Sequence, residues 1–190
     1  MSSTRLRILG AAQRLIAGRG TGFTMADVAR ESGVSRQAVY LHFASRASLF
    51  MAVVRHMDDT DGIRPRCERA LAAPDPVEAL RAFLRAWLRY ADRIRPVASA
   101  LLASRHDDSD TAAAWEDRMD ELRTGFLAAT RRLRASGLLR PGLDPETAAD
   151  LAWAMTSVPV WEQLTVDRGM SARDAEHHLT DAVTAALAGC

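Results

Sequence analysis

The apolar positions of this chain recur at helical spacing almost from end to end. Ile8, Leu9, Ala12, Leu15 and Ile16 fall at i, i+1, i+4, i+7 and i+8, which is one stripe on a helix. Gly18 and Gly20 end that helix. Thr24 is placed to cap a second one, with Asp27 three residues on to complete a capping box. Gly33 breaks the second helix early. Ser35 caps a third, which turns Val39 and Phe43 inward, and Ser45 caps a fourth with Leu49, Phe50, Val53, Val54 and Met57 on one side.

The pattern continues beyond residue 58. Asp75-Pro76 predicts a cap followed by an N1 proline, and the helix after it carries Val77, Leu80, Leu84, Trp87, Leu88 and Ala91 on one stripe. Pro96 is expected to interrupt it, leaving a short apolar stretch over 97–103. A polar loop over 105–110 leads to a long helix with Trp115, Met119, Leu122, Phe126, Ala129 and Leu133, close to a coiled-coil seam. Asp144-Pro145 starts another, with Leu151, Ala152, Met155 and Val158 inward and Pro159 bending or ending it. Ser171 with Asp174 opens the last, whose apolar set is Ala175, Leu179, Ala182, Val183, Ala186 and Leu187. With no strand alternation, repeat or low-complexity tract, the fold class is all-α with about nine helices.

Composition narrows the class. A chain of 190 residues, 48% hydrophobic and 26% charged, can bury a core without disulfides or metals. No apolar run reaches the length of a membrane span, and no secretory signal opens the chain, so a cytoplasmic location is expected. Cys67 and Cys190 form no CxxC pair and read as reduced thiols. The net charge of +1 hides a split. Residues 1–57 hold eight Arg against two acids, a net of +6, and residues 58–190 carry a net of −5. A basic head on an acidic body suggests a polyanion-binding module beside a part that avoids polyanions.

The chemistry lies in TMADVARESGVSRQAVYLHF, residues 24–43. Ala29, Gly33 and Val39 have the spacing of a helix-turn-helix. A small residue at 29 allows close helix crossing, Gly33 supplies a positive φ, and Val39 packs the second helix on the first. Arg36, Gln37 and Tyr40 then face outward, toward the major groove of DNA. Gln37 suits adenine N6/N7, and Arg36 suits guanine or a phosphate. Ser35, Tyr40 and His42 are better placed as phosphate contacts, which set register.

This segment resembles the TetR family of bacterial transcriptional regulators. The likeness rests on G-V-S-R at 33–36, Y-L-H-F at 40–43, Arg46 at the start of the fourth helix, and F-T-M-A-D-V-A-R at 23–30. It implies a helix-turn-helix DNA-binding domain over 1–47, joined through the fourth helix to a ligand-binding and dimerisation domain over 48–190. By matching motif positions, the DNA-contacting set is Thr24, Ser35, Arg36, Gln37, Tyr40, His42 and Arg46. Arg46 stands where Lys is common in the family. Met25 replaces a frequent Thr, at the cost of one phosphate contact. The partners implied are a palindromic double-stranded operator, a second copy of the chain, and a largely apolar small molecule that releases the repressor from DNA.

Within the body, Phe83, Trp87, Trp115, Met119, Phe126, Trp153 and Met155 are the candidates for lining a ligand cavity, since such sites are mostly apolar. The same residues at the same spacing also suit a plain core. Trp161, Leu164, Leu179, Val183 and Leu187 are the candidates for the dimer interface. No metal or other cofactor is expected: the acidic run at 58–61 and His106-Asp107-Asp108 lack a defined ligand pattern, and adjacent His177 and His178 cannot chelate together. No GxSxG, phosphate loop or HExxH supports an enzyme. A DNA-tethered platform for other proteins, without a small-molecule ligand, is the alternative reading.

Overall fold

In the computed structural model, which describes residues 3–189, ten α-helices are formed among the described residues. Cys190 lies outside them. In order they are α1 (Ser3–Arg19), α2 (Met25–Ser32), α3 (Arg36–His42), α4 (Arg46–Asp61), α5 (Ile63–Leu71), α6 (Pro76–Ser104), α7 (Ser109–Ala135), α8 (Pro145–Met155), α9 (Val158–Glu162) and α10 (Ala172–Leu187). A π-helical turn, Gln163–Asp167, extends α9. None of the described helices is long and apolar enough to cross a membrane.

The caps form as their residue types demand. Thr24 and Asp27 make a reciprocal capping box at α2. Ser35 Oγ accepts the Ala38 N–H at 3.1 Å, and Ser45 Oγ accepts the Ser48 N–H at the same distance. Asp144 caps α8, and Ser171 caps α10. Gly33 sits in the left-handed region at φ 66°, as the turn requires.

Three elements differ from expectation. Helix α6 runs through Pro96 without a break. The lost backbone hydrogen bond costs about 3 kcal/mol, but the turn beyond it buries Val97, Ala98 and Leu101. Helix α5 has no apolar stripe to announce it, since only Ile63 and Ala70 are buried. Its Pro65 falls in the first turn, where a missing N–H costs nothing. Leu151, expected inward, is 42% exposed, and α8 packs instead on Ala148, Ala149 and Ala152.

The chain packs as two compact units. The first comprises residues 1–61 and 94–118. Its core is built from Ile8, Leu9, Leu15 and Ile16 of α1, Val28 of α2, Val39 of α3, and Leu49, Phe50 and Val53 of α4. Phe23 meets Phe50 edge-on at 5.6 Å. Polar links join α4 and the α1–α2 turn to the later segment: Thr21 Oγ1 donates to Ser104 Oγ at 2.5 Å, and a buried ion pair joins Arg118 to Asp58.

The second unit comprises residues 62–93 and 119–190. Phe83 lies edge-on to Phe126 at 5.1 Å, and its ring occupies the space that a side chain at Gly125 would need. The Trp87 indole N–H donates to the Thr156 carbonyl at 2.9 Å, and that of Trp161 to Asp92 Oδ1 at 3.1 Å. An isolated antiparallel bridge, Leu139 to Ala188, ties the end of α10 to the turn after α7. This grouping by packing differs from a division at 47/48. Helix α4 is continuous across that point because Leu49, Phe50 and Val53 belong to the same core as α1.

Candidate nucleic-acid interface

Helix α3 is held by three features already present in its sequence: the Ser35 cap, the Gly33 turn and the buried Val39. At about 100° per residue, Gln37 and Leu41 each stand roughly 160° from Val39. They are therefore the outermost positions of the helix. Arg36 and Tyr40 flank them on one side, Ala38 and His42 on the other. Exposure agrees: Gln37 and Arg36 are exposed, Tyr40 is 43% exposed and Leu41 80%, while Ala38 and His42 are half-buried. Arg36 lies over the Tyr40 ring at 5.6 Å, which fixes the two as one patch.

The other expected contacts divide. Thr24 is exposed at the start of α2, but its hydroxyl is committed to the cap, accepting the Asp27 N–H at 3.2 Å and donating to Asp27 Oδ2 at 2.7 Å. The Thr24 hydroxyl and its backbone N–H both donate to the Asp27 carboxyl and, with Arg30 adding a favourable charge, hold it below the ordinary carboxylate range. Met25 is buried and contributes to the core. Arg46 is the residue whose setting changes most. Its Nη2 donates to Asp108 Oδ2 at 2.6 Å and to the Thr21 carbonyl, and its guanidinium lies 4.9 Å from the Phe50 ring. Asp108 in turn accepts the backbone N–H groups of Asp110 and Thr111 at the start of α7. Arg46 is thus half-buried in an internal ion pair rather than extended into solvent. Sequence spacing cannot reveal this, because Asp108 is 62 residues away.

Leu41 is the residue that the sequence reading left out. Its signal was available: it follows Gln37 by four and Val39 by two, so it had to share the outward face. Its side chain carries no hydrogen-bonding group, which is the usual mark of a base or phosphate contact.

The expected ligand residues do not form one set. Trp115 belongs to the first unit, beneath Arg105 at 5.9 Å. The other six belong to the second. Of these, Phe83, Trp87 and Phe126 are buried, and Met119, Trp153 and Met155 half-buried. A groove of about 480 Å³ opens between α1 and α2, lined by Leu6, Arg7, Arg14 and Glu31, and none of the expected ligand residues borders it. The expected dimer residues differ in burial. Trp161 is 1% exposed, Val183, Leu187 and Leu179 are also buried, and Leu164 is half-buried. The four buried side chains pack in the core of a single chain. The faces that α8 and α10 leave open carry Leu151 and Ala154, and His178, Ala182 and Ala185, respectively.

Comparison with known proteins settles the family. Residues 8–53 match the family described as "Bacterial regulatory proteins, tetR family". The HTH-type transcriptional regulator BetI of Rhizobium meliloti (strain 1021) is 31% identical over 164 residues, 80% of this chain and 73% of the relative. The chain belongs to the TetR family of bacterial transcriptional regulators. Solved TetR-type folds match it throughout. SmeT of Stenotrophomonas maltophilia, solved with triclosan, superposes with a TM-score of 0.79 at 21% identity, over 99% of this chain and 93% of that one. A regulator from Saccharomonospora viridis, solved with choline, superposes with a TM-score of 0.74 at 22% identity, over the whole of both chains. At such identities the superpositions establish the fold of this regulator.

Proposed function

We propose that this regulator is a cytoplasmic, homodimeric repressor that binds a palindromic operator and leaves it when a small molecule binds the body. The observation that carries the reading is the outward face of α3, with Gln37 at its centre and Arg36 and Tyr40 beside it, within a segment of net charge +6. Ser35, His42 and, after release from Asp108, Arg46 serve as phosphate contacts, with Thr24 at the margin. Two such heads need a spacing of roughly 34–36 Å to enter successive major grooves. A ligand that favours another spacing weakens DNA binding, and DNA weakens ligand binding by the same factor. Decisive release needs a differential affinity on the order of 3–5 kcal/mol.

Support for a ligand comes from the fold neighbours solved with triclosan and with choline. Those molecules differ in chemistry, so selectivity in this chain rests on its own lining, for which Phe83, Trp87, Met119, Phe126, Trp153 and Met155 are proposed. A packed second unit, with both indole N–H groups of Trp87 and Trp161 satisfied internally, is what favours the ligand-free platform instead.

The deciding experiment is a footprint on DNA from just upstream of the protein's own coding region, at two salt concentrations. A protected palindrome supports the repressor. Sequence-blind protection that disappears with salt supports the platform. For the dimer, we assign the open faces of α8 and α10. Leu151→Asp with Ala182→Asp is expected to give a folded monomer that binds the operator at least a hundredfold more weakly. A stable dimer carrying both changes overturns that assignment.

A further inference from the structure

We propose that Leu41 reads the C5-methyl group of a thymine in each half-site, within about two base-pair steps of the pair that Gln37 contacts. The inference rests on the DNA-binding reading and extends it to a residue and a base. A lone exposed leucine is ordinary on a protein surface. This one is 80% exposed on a seven-residue helix, at one of the two positions most nearly opposite the buried Val39. It shares that outermost line with Gln37, so any groove that admits Gln37 also receives Leu41. In the major groove the edges of the base pairs carry donors and acceptors, and the thymine methyl is the apolar group among them. A leucine there desolvates polar edges without return unless it meets that methyl. The two Cα atoms are about 6 Å apart along the helix, and base pairs repeat every 3.4 Å or so, which sets the two-step limit. The charge on the helix suits the same occupant: Arg36 over the Tyr40 ring puts a cation at one edge of the outward face, as the phosphate walls of a groove require.

The test uses the full-length protein and a random-sequence duplex library, selected by wild type and by Leu41→Ala. Operators recovered with wild type are then made with each thymine of a half-site replaced by deoxyuridine, which removes the methyl alone. One thymine per half-site is expected where deoxyuridine weakens wild type about fourfold, the order expected for one buried methyl group, and about fifteenfold when both half-sites change. Leu41→Ala should bind the normal operator with a similar loss, and should lose nothing more on the deoxyuridine operator. Restoring the methyl with 5-methylcytosine at that position should recover more wild-type affinity than cytosine does. Equal deoxyuridine effects in both proteins at every position, with sequence-specific binding intact, would overturn the role of Leu41. If wild type enriches no sequence from the library, the DNA-binding reading itself fails, and this inference with it. The melting temperature of Leu41→Ala should match wild type, since the side chain packs little. Leu41→Met, which keeps an apolar reach, should retain the thymine preference.

Discussion

The two compact units of this regulator hold their candidate functional residues in opposite settings. In the first, the informative residues are polar or exposed groups on a small helix: Gln37, Arg36, Tyr40 and Leu41 project because Val39 does not. In the second, the expected ligand and dimer residues are large apolar groups, and the structure buries most of them for cohesion. A projecting polar side chain has few structural duties, so its type signals its chemistry. A buried tryptophan stabilises the core whether or not it also meets a ligand. The contrast explains why the same reading of spacing puts the proposed DNA contacts on exposed positions and most of the proposed dimer contacts on buried ones.

The largest effect is expected from Trp161→Ala. With its ring enclosed and its N–H on Asp92, the truncation should cost about 3–5 kcal/mol of stability. Chemical denaturation checks it. If the loss instead appears only as weaker dimerisation, with monomer stability unchanged, Trp161 belongs to an interface after all. Next comes Gln37→Ala, which should leave stability unchanged and cost roughly 1–3 kcal/mol of operator affinity. It should also relax preference at one base position per half-site. An unchanged preference would mean that α3 faces DNA differently.

Thr24→Ala should lower stability by about 1 kcal/mol through loss of the α2 cap. The folded Asp27 carboxyl is shifted below its ordinary value, so its contribution is full above the ordinary carboxylate range. It fades as pH falls through the lowered folded value. Removing Thr24 should therefore flatten part of the acid limb of the stability curve, and a limb of unchanged shape would exclude Asp27 as its source. The smallest effect is expected from Asp108→Asn, which keeps the cap on α7 but releases Arg46. Operator affinity should rise a few-fold, and the salt slope should steepen by about one ion per head. If neither changes, Arg46 is a structural tie and not a phosphate contact.

Much of the fold was legible because helices are local. Thr24 with Asp27, Ser35, Gly33 and the Asp144-Pro145 start act within a turn of themselves, and each does what its residue type dictates. Helix α5 and the passage of α6 through Pro96 were not legible. The first lacks apolar periodicity, and the second depends on what Val97 and Leu101 bury against.

By itself, then, the sequence determined the all-helical class, the helix-turn-helix, the position of Gln37 and the charge asymmetry. These follow from spacing within a few turns and from counting charges. Tertiary structure alone decided that Arg46 pairs with Asp108, that Trp115 packs with a different unit from Phe83 and Trp87, and that Val183 and Leu187 are core while Leu151 is not. Each of those outcomes depends on which distant segment arrives at a helix face. A single helix's periodicity states that a face is apolar, and only packing states what covers it.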